Sequence, residues 1–307
     1  MLSFLIPTYN YNCTTLVLTL YRQSCDLKSK MKGSFDFEII VADDASPQEE
    51  YVTCYEQLSD YQECRFIALA ENYGRARIRN FLAHEARFDH LVFIDCDAEI
   101  CTPDFVASYW QARTLGQVVC GSLRNPKSCP AGGELRYRYE KSAECQRTVA
   151  FRNAHPYTYF TTFNVMFQRA IFQKIGFDER CTEYGYEDAL MGVMLEQNGY
   201  QVAHIDNPLV HNGIDPSAVY LSKIETSLGV LYKLGEPLHS ASALVLLKRK
   251  LEAAGLKWVV SLGFSMCRKL LRKHLTGKHP SMSVLKFYKL GYYLEIEQHA
   301  RGKRTAP

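Results

Sequence analysis

Two aspartates separated by one residue are the feature of this sequence best suited to chemistry. Asp95 and Asp97 follow the apolar run His90–Ile94, which predicts a short buried strand. Alternating carboxylates just after a strand can present oxygens to Mg²⁺ or Mn²⁺ and leave the remaining coordination positions to phosphates. A D-x-D is also common in solvated turns, and phosphatases with an aspartate nucleophile carry one after their first strand. Here the strand is the fourth, and hard oxygen ligands favour Mn²⁺ or Mg²⁺ over zinc.

A second acidic pair opens a predicted helix. Glu187 and Asp188 begin the segment Glu187–Gln197, whose apolar residues recur on one stripe. A helix N-terminus favours ionised carboxylates, so the pair could be no more than a helix-start preference. The lead-in Gly185-Tyr186 and the apolar stripe behind the pair favour instead one carboxylate that points into a cleft.

The elements that position these residues alternate over the first 120 residues, and this alternation predicts an α/β fold with a mostly parallel sheet flanked by helices. The predicted strands are Leu2–Ile6, Phe37–Val41, Cys64–Ala70 and His90–Ile94, and the predicted helices are Thr14–Gln23, Gln48–Leu58 and Arg75–Ala86. Ligands of such sheets bind beyond the carboxyl ends of the strands. The polar segments after the first, second and fourth strands therefore gather at one sheet edge.

The remaining chain has a less regular pattern. Residues 122–158 contain several Pro and Gly residues and predict loops that face the substrate. Further strands are predicted at Phe160–Phe167, Val202–Ile205 and Leu209–Val210. Helices are predicted near 219–233, 240–254, 257–275 and 283–299.

Composition and charge exclude several classes of protein. The chain has 307 residues, of which 47% are apolar and 22% charged, so it is neither disordered nor fibrous. No apolar stretch is long enough to span a membrane, and the first residues lack the features of a secretory signal. Eleven cysteines without a C-x-x-C pair indicate a reducing compartment, and we expect a cytoplasmic protein. Residues 238–307 carry fourteen Lys and Arg against three Glu, a balance of +11, whereas the remainder carries 22 against 30, a balance of −8.

Five segments, in this order, resemble glycosyltransferase family 2, whose members have the GT-A fold, a Rossmann-like sheet. They are Ser3–Asn10, Val41–Ser46, Glu71–Asn80, Asp95–Asp97 and Gly185–Asp188. The third segment has Ile78 where the family usually has Ala. The resemblance covers about residues 3–211 and implies a catalytic domain at residues 1–215, followed by a basic helical extension at residues 216–307.

The resemblance implies a binding site for a nucleotide-sugar. The residues implied are Pro7, Thr8, Tyr9, Asp44, Arg79, Asp95 and Asn164. The carboxylate of Asp44 would take the N–H edge of a uracil-like base, while Asp43 is either a second contact or a structural residue. Arg79 lies near the nucleotide or forms a helix-surface salt bridge. Asn164 contacts the sugar or is a buried polar residue bonded only to backbone.

The resemblance also implies a metal and a catalytic base. Asp97 would be a direct ligand of Mn²⁺ or Mg²⁺, and Asp95 a further ligand, through a metal-bound water or beside the ribose. His211, which is 23 residues beyond Asp188, would complete the metal site, or it is an ordinary packing residue. Asp188 would be the general base toward the acceptor hydroxyl, and Glu187 would hydrogen-bond donor or acceptor hydroxyls.

These roles imply an inverting enzyme that moves a sugar from a nucleoside diphosphate, with UDP expected, to a hydroxyl of a glycan or a lipid-linked saccharide. A nucleotidyltransferase that makes the sugar nucleotide is an alternative, but its glycine-rich loop with Arg and Lys is absent from Pro7–Asn10. A second alternative is a carbohydrate-binding or assembly subunit that has lost turnover.

The predicted helix at 257–275 is amphipathic and basic. A helical wheel predicts one apolar arc, with Arg268, Lys269, Arg272 and Lys273 on the other side; the arc contains Trp258, Val259, Val260, Leu262, Met266, Leu270 and Leu271. Such a helix either lies on an anionic membrane surface, which would place the protein peripherally at the inner membrane face, or packs on the catalytic domain with its basic face in water. No nucleic-acid-binding module accompanies the charge, so nucleic acid is not an expected partner.

Overall fold

The computed structural model describes residues 1–181, 183–236 and 238–305. The chain forms two compact units. The first contains residues 1–126, 146–181 and 187–213, and the second contains residues 127–145, 183–186, 214–236 and 238–305. The predicted division into a catalytic domain at residues 1–215 and an extension at residues 216–307 remains a prediction. The second unit of the structure takes in the segments 127–145 and 183–186 in addition to the C-terminal part of the chain.

Within the described residues, the first unit contains one sheet of eight strands, in the order β3-β2-β1-β4-β7-β6-β8-β5. The strands are β1 (Leu2–Thr8), β2 (Phe37–Asp43), β3 (Cys64–Ala68), β4 (His90–Ile94), β5 (Ala98–Ile100), β6 (Val118–Arg124), β7 (Asn164–Gln168) and β8 (Val202–His211). Strands β1 to β4 are mutually parallel where they pair, and β6 is parallel to β8. Strand β7 is antiparallel to both of its neighbours, and β5 is antiparallel to β8.

Helices flank this sheet and form the second unit. Those of the first unit are α1 (Thr14–Lys30), α2 (Glu50–Thr53), α3 (Gly74–Glu85), α4 (Phe105–Ala112), α6 (Val149–Ala154), α7 (Arg169–Ile175) and α8 (Glu187–Gln197), with a 3₁₀ helix at Glu56–Asp60. Those of the second unit are α5 (Glu134–Gln146), α9 (Ser217–Leu234), α10 (Leu238–Ala241), α11 (Ala243–Ala253), α12 (Lys257–Leu275) and α13 (Met282–Thr305). The predicted fold class, a mostly parallel sheet flanked by helices with a helical C-terminal extension, is confirmed.

The prediction of loops over residues 122–158 was wrong, because two helices lie there. Pro126 and Pro130 precede α5 and Pro156 follows α6, so none of them interrupts a helix. The residues of α5 are mostly good helix formers. Helix α6 begins after Thr148, whose hydroxyl accepts a hydrogen bond from the N–H of Phe151 at 3.2 Å, an N-cap that offsets the weak helical pattern.

Three strand and helix predictions also need correction. The strand expected at Phe160–Phe167 begins only at Asn164, because the hydroxyl of Thr161 accepts the N–H of Phe163 at 3.3 Å and turns the chain. The strands expected at Val202–Ile205 and Leu209–Val210 are one strand, β8, with an irregular register opposite β6. The helix expected at Gln48–Leu58 is divided into α2 and the 3₁₀ helix.

The loops at the carboxyl ends of β1 and β2 are tied to each other. The N–H of Asp44 donates to the carbonyl of Thr8 at 2.8 Å, and the N–H of Asn10 donates to the hydroxyl of Ser46 at 2.7 Å. That hydroxyl in turn donates to the carboxylate of Asp43 at 2.5 Å. The polar residues after β1 and β2, two of the three segments predicted to share one sheet edge, are therefore joined there by hydrogen bonds.

In the second unit, α12 packs on α13 through an aromatic contact and an ion pair, and a second ion pair joins it to α9. The buried ring of Phe264 lies 5.4 Å from the ring of Tyr288, centroid to centroid. Arg268 pairs with Glu295 at 2.7 Å, and Arg272 pairs with Glu225 of α9.

The predicted placement of four basic residues opposite the apolar arc was wrong for Lys269 and Lys273. Arg268 and Arg272 lie on the packed side of α12, whereas Lys269 and Lys273 are exposed with the apolar side chains. Helix geometry decides this arrangement, because at about 100° per residue Lys269 and Lys273 fall within the arc of Trp258, Leu262, Met266 and Leu270. Among the described residues, no helix has the length and apolarity needed to cross a bilayer.

The close approach of α12 and α13 predicts opposite effects for two alanine substitutions. A Cβ at Gly291 would overlap the ring of Phe264, whereas a Cβ at Gly263 would have its nearest neighbour 3.9 Å away, at Phe287. Gly291→Ala should therefore lower the free energy of unfolding by about 1–3 kcal/mol through overpacking. Gly263→Ala should raise it by up to about 1 kcal/mol through helix propensity. Urea unfolding measures both, and equal effects of the two variants would contradict this packing.

Candidate functional site

A buried arginine lies at the centre of the acidic residues. Arg79, on α3, is 3% exposed, and its Nη2 donates to Asp95 Oδ1 at 2.6 Å. Its Nη1 donates to the carbonyl of Arg75 at 3.1 Å, one helical turn earlier. Arg79 was expected either beside the nucleotide or in a surface salt bridge. Its ion pair with Asp95 is partly buried, with the arginine almost fully buried, and lies at the end of β4.

The same guanidinium lies within electrostatic reach of the acidic pair that opens α8. Burial acts to lower the pKa of Arg79, but the negative charges of Asp95, Asp188 and Glu187 outweigh it and raise that pKa. Arg75 adds a second cation, with its Nη1 3.5 Å from Glu187 Oε1. The two acidic segments are thus brought together around one helix. Sequence reasoning missed Arg75, although its i, i+4 spacing from Arg79 places both on one face of α3.

Two threonine hydroxyls hold the carboxylate of Asp188. Thr162 Oγ1 donates to Asp188 Oδ1 at 2.7 Å, and Thr161 Oγ1 donates to Oδ2 at 3.1 Å. Burial and then the charge of Glu187 raise the pKa of Asp188 to about 6, while Arg79 and the hydrogen bond from Thr162 act in the opposite direction. A carboxylate with this pKa is ionised at neutral pH and still basic enough to accept a proton.

Asp97 and His211 form the second polar pair of the site. Pairing of β5 with β8 sets Ala98 opposite His211 and brings His211 Nε2 to 3.3 Å from Asp97 Oδ2. The side chain of His211 is almost fully buried, and a Cβ at Gly213 would overlap the carboxylate of Asp97. Asp97 can therefore keep its position only because residue 213 is a glycine.

This pair fits a divalent cation by its chemistry. A carboxylate oxygen and an imidazole nitrogen that approach the same point are suitable ligands for Mn²⁺. Within residues 1–181, 183–236 and 238–305, no group of three or more His, Cys, Asp and Glu side chains is arranged to hold a metal. The protein thus offers two ligands, and Asp95, the third predicted ligand, is bonded to Arg79.

The loops after β1 and β2 contain the residues predicted to bind the nucleotide. Both carboxylate oxygens of Asp44 accept backbone N–H groups at the start of α3, from Tyr73 at 2.6 Å and from Gly74 at 2.9 Å. Burial raises the pKa of Asp44, and these two hydrogen bonds oppose that rise. The hydroxyl of Thr8 is buried and donates to the carbonyl of Tyr11 at 2.9 Å.

Pro7 and Tyr9, on either side of Thr8, differ in exposure. Pro7 pairs with Ala42 within the sheet and is half-buried, whereas the ring of Tyr9 is 49% exposed. Of these three residues predicted to line the nucleotide, Tyr9 offers the most surface to a ligand. Its open ring face suits stacking on a base.

Asn164 is engaged within the sheet. Its Oδ1 accepts the hydroxyl of Tyr109 at 2.5 Å, and its Nδ2 donates to the carbonyls of Ser122 and Asn207 at 3.2 and 2.7 Å. The side chain is 1% exposed. A sugar contact would require these bonds to break, so the geometry favours a buried polar residue that joins β7 to β6 and β8. It differs from the predicted alternative, bonded only to backbone, in its additional bond to the Tyr109 hydroxyl.

Comparison with known proteins identifies the family. The model of glycosyl transferase family 2 matches residues 3–176, which is more than half of the chain. The chain belongs to glycosyl transferase family 2. The predicted membership is thereby confirmed, and the matched segment contains β1, β2 and β4 with the acidic residues that follow them.

Relatives of this family 2 chain include a chondroitin synthase of Escherichia coli, which is 26% identical over 252 residues. The match covers 70% of this chain but only 35% of the length of that synthase. A mannosyltransferase from Pyrobaculum calidifontis, solved in complex with GDP-Man and Mn²⁺, has a TM-score of 0.52 at 15% identity, over 99% of this chain and 88% of its own.

A third likeness is to glucosyl-3-phosphoglycerate synthase from Mycobacterium tuberculosis, solved with Mn²⁺, UDP and glucosyl-3-phosphoglycerate. Its TM-score is 0.51 at 16% identity, over 77% of this chain and 81% of its own. Because the identities are this low, the two solved structures show only that their fold is similar to that of this family 2 chain.

The central position of Arg79 predicts a pH-dependent loss of stability when its charge is removed. Arg79→Met leaves buried carboxylates without their cation, which costs about 3–5 kcal/mol. Because the folded-state pKa of Asp188 is raised from 3.8 to about 6, stability falls as the pH rises from about 4 to about 6 and is then constant. Without Arg79 this pKa rises further, so the fall in stability continues above pH 6. The loss in free energy of unfolding should therefore be larger at pH 8 than at pH 5, as measured by urea unfolding.

Arg77→Met on the same helix is the matched control. Arg77 pairs with Glu71 at 3.3 Å, and both side chains are exposed, so its removal should cost about 0–1 kcal/mol. A loss for Arg79→Met that equals this control, or that is the same at both pH values, would contradict the central role of Arg79.

Proposed function

We propose that this chain is a nucleotide-sugar-dependent glycosyltransferase. It moves a sugar from a nucleoside diphosphate, UDP by our proposal, to a hydroxyl of a glycan or lipid-linked saccharide, with inversion at the anomeric carbon. The observation that carries the proposal is a basic carboxylate, Asp188, within electrostatic reach of a buried cation, Arg79, that contacts the D-x-D segment. Membership of family 2 supports the reaction class.

Asp188 would accept the proton of the acceptor hydroxyl. Its pKa of about 6 lets it remain ionised at neutral pH while matching the rising acidity of a hydroxyl that attacks. Thr161 and Thr162 fix the direction of the carboxylate. Glu187 lies beside it and would hydrogen-bond sugar hydroxyls. A single base opposite the leaving group corresponds to direct displacement, which inverts the anomeric carbon.

The leaving diphosphate needs positive charge. Asp97 and His211 would hold Mn²⁺ or Mg²⁺, with Asp95 beside it, and such a cation neutralises charge that develops on a departing phosphate. The two solved structures of similar fold contain Mn²⁺, which supports this part of the proposal. Arg79 and Arg75 add fixed positive charge to the same site.

The nucleotide would lie over the loops after β1 and β2. The exposed ring of Tyr9 can stack on a base, and each oxygen of Asp44 retains a lone pair for the N–H of a uracil. The solved relatives bind GDP-Man in one case and UDP in the other, so the preference for UDP rests on Asp44. Similarity to a chondroitin synthase supports a glycan acceptor.

The two alternatives are less well supported. Sugar-nucleotide synthesis would need cationic groups in the loop after β1, where Tyr9 and Asn10 lie instead. An assembly subunit without turnover would have no need of a carboxylate whose pKa is raised to about 6.

A panel of sugar nucleotides with Mn²⁺ tests the proposal. We expect transfer from a UDP-sugar, and Asp188→Asn should lower kcat by about 10²–10⁴-fold because the base is lost while UDP affinity is kept. Asp97→Ala should weaken Mn²⁺-dependent UDP binding as well as turnover. Glu183→Gln, a substitution of an exposed carboxylate paired with Lys233, is the control and should change neither. Unchanged turnover in both site variants would overturn the assignment, and tighter binding of GDP than of UDP would overturn the role of Asp44.

The hydrogen bond from Thr162 predicts a shift of the pH profile. kcat/KM should fall below about pH 6, where Asp188 becomes protonated. Thr162→Val removes a donor that stabilises the ionised carboxylate, so the acidic limb should move upward by about one pH unit. Thr162→Ser keeps the donor and should leave the limb in place. The idea fails if both variants move the limb equally or if neither does.

A further inference from the structure

The side of α12 that faces away from α13 exposes an unusual amount of apolar surface. Four of its residues recur at intervals of four, which aligns them along one side of the helix. The exposed fractions are 66% for Trp258, 54% for Leu262, 76% for Met266 and 69% for Leu270, and Val259 between them is 46% exposed. We call Trp258, Val259, Leu262, Met266 and Leu270, together with Lys269 and Lys273, the outward face of α12.

This apolar surface is not needed to hold the helix in place. The opposite side of α12 already buries Phe264 and Leu275 and forms the ion pairs of Arg268 and Arg272. A contiguous apolar patch that remains exposed on a packed helix marks an interaction surface.

The charges on the outward face indicate what covers it. Lys269 and Lys273 lie among the apolar side chains, both are exposed, and α12 contains no acidic residue. Within the described ranges, neither lysine takes part in an ion pair that would neutralise it. In a symmetric pair of chains, each outward face would meet the same lysines of the other copy, which is unfavourable. A partner with an apolar interior and a negatively charged surface would complement both the exposed apolar side chains and the two lysines.

We infer that the outward face of α12 binds the surface of a bilayer that contains anionic phospholipid. The apolar stripe enters the boundary between head groups and acyl chains, Trp258 lies at that boundary, and the lysines contact lipid phosphates. The helix lies along the surface rather than across the bilayer. This inference does not rest on the proposed transferase activity, since it concerns a separate set of residues.

Tryptophan fluorescence gives a direct test, because Trp110 and Trp258 are the two tryptophans of the chain. In the Trp110→Phe variant, vesicles of phosphatidylglycerol and phosphatidylcholine should shift the emission of Trp258 to the blue, and brominated acyl chains should quench it. Vesicles of phosphatidylcholine alone should bind at least tenfold more weakly. The Trp258→Phe variant should show no such shift.

Substitutions then separate the apolar and charged contributions in vesicle co-sedimentation. Met266→Ser with Leu270→Ser should lower binding at least tenfold, and Lys269→Gln with Lys273→Gln should remove most of the preference for anionic lipid. The controls are Leu115→Ser and Lys30→Gln, at exposed positions outside α12, which should bind as the unmodified chain does.

Three results would overturn the inference. One is a lack of binding to anionic vesicles at low salt, and another is binding that none of the α12 substitutions changes. The third is self-association, seen by light scattering, that the same substitutions abolish while vesicles do not compete, because the face would then be an interface between copies of the chain.

Discussion

The arrangement of the site in this family 2 chain depends on one buried positive charge, the guanidinium of Arg79. The guanidinium of Arg79 is almost inaccessible to water, and a buried ion without partners costs several kcal/mol. Three carboxylates, from the end of β4 and the start of α8, provide the compensating charge. Because these carboxylates would repel each other without the cation, β4, α3 and α8 must meet at one point for the first unit to be stable. The geometry that stabilises the fold is thus the geometry that concentrates acidic groups near a cation.

The reactivity of Asp188 follows from the balance of charges around it. Burial and Glu187 raise its pKa, and Arg79 and Thr162 limit that rise, so the carboxyl titrates near pH 6 rather than near its ordinary value or far above it. The turn at residues 161–163 matters here for two reasons. It ends the segment expected to be strand, and it points two hydroxyls at the carboxylate. Backbone that would pair within a longer strand instead positions the carboxylate of Asp188, and the carbonyl of Phe163 accepts the N–H of Asp95 at 3.2 Å.

Sequence reasoning predicted those features that depend on local pattern and order. Apolar periodicity and caps are local signals, and they predicted the parallel strands, the helices of the C-terminal tail and the bounds of α8. Features that depend on a partner distant in the sequence were not predicted. Arg75 pairs with a residue 112 positions away, Asn164 is satisfied by carbonyls of other strands, and Arg268 is paired to a glutamate on another helix. The helices α5 and α6 were missed because prolines and aromatic residues obscured a weak helical pattern that Thr148 caps.

Asp44 connects the proposed nucleotide site to the central cation. Its carboxylate binds the first N–H groups of α3, where the positive end of the helix dipole favours a negative charge. Gly74, whose φ of +74° requires glycine, allows the chain to enter the helix at this point. A nucleobase that donates to Asp44 would use the remaining lone pairs of the carboxylate, so the hydrogen bonds to the start of α3 would be kept. Since α3 holds Arg75 and Arg79, anything that strengthens its first turn also restrains the two guanidinium groups beside Asp95, Glu187 and Asp188. Under the proposed function, binding of the nucleotide and positioning of the charged groups would then be two consequences of one helix start.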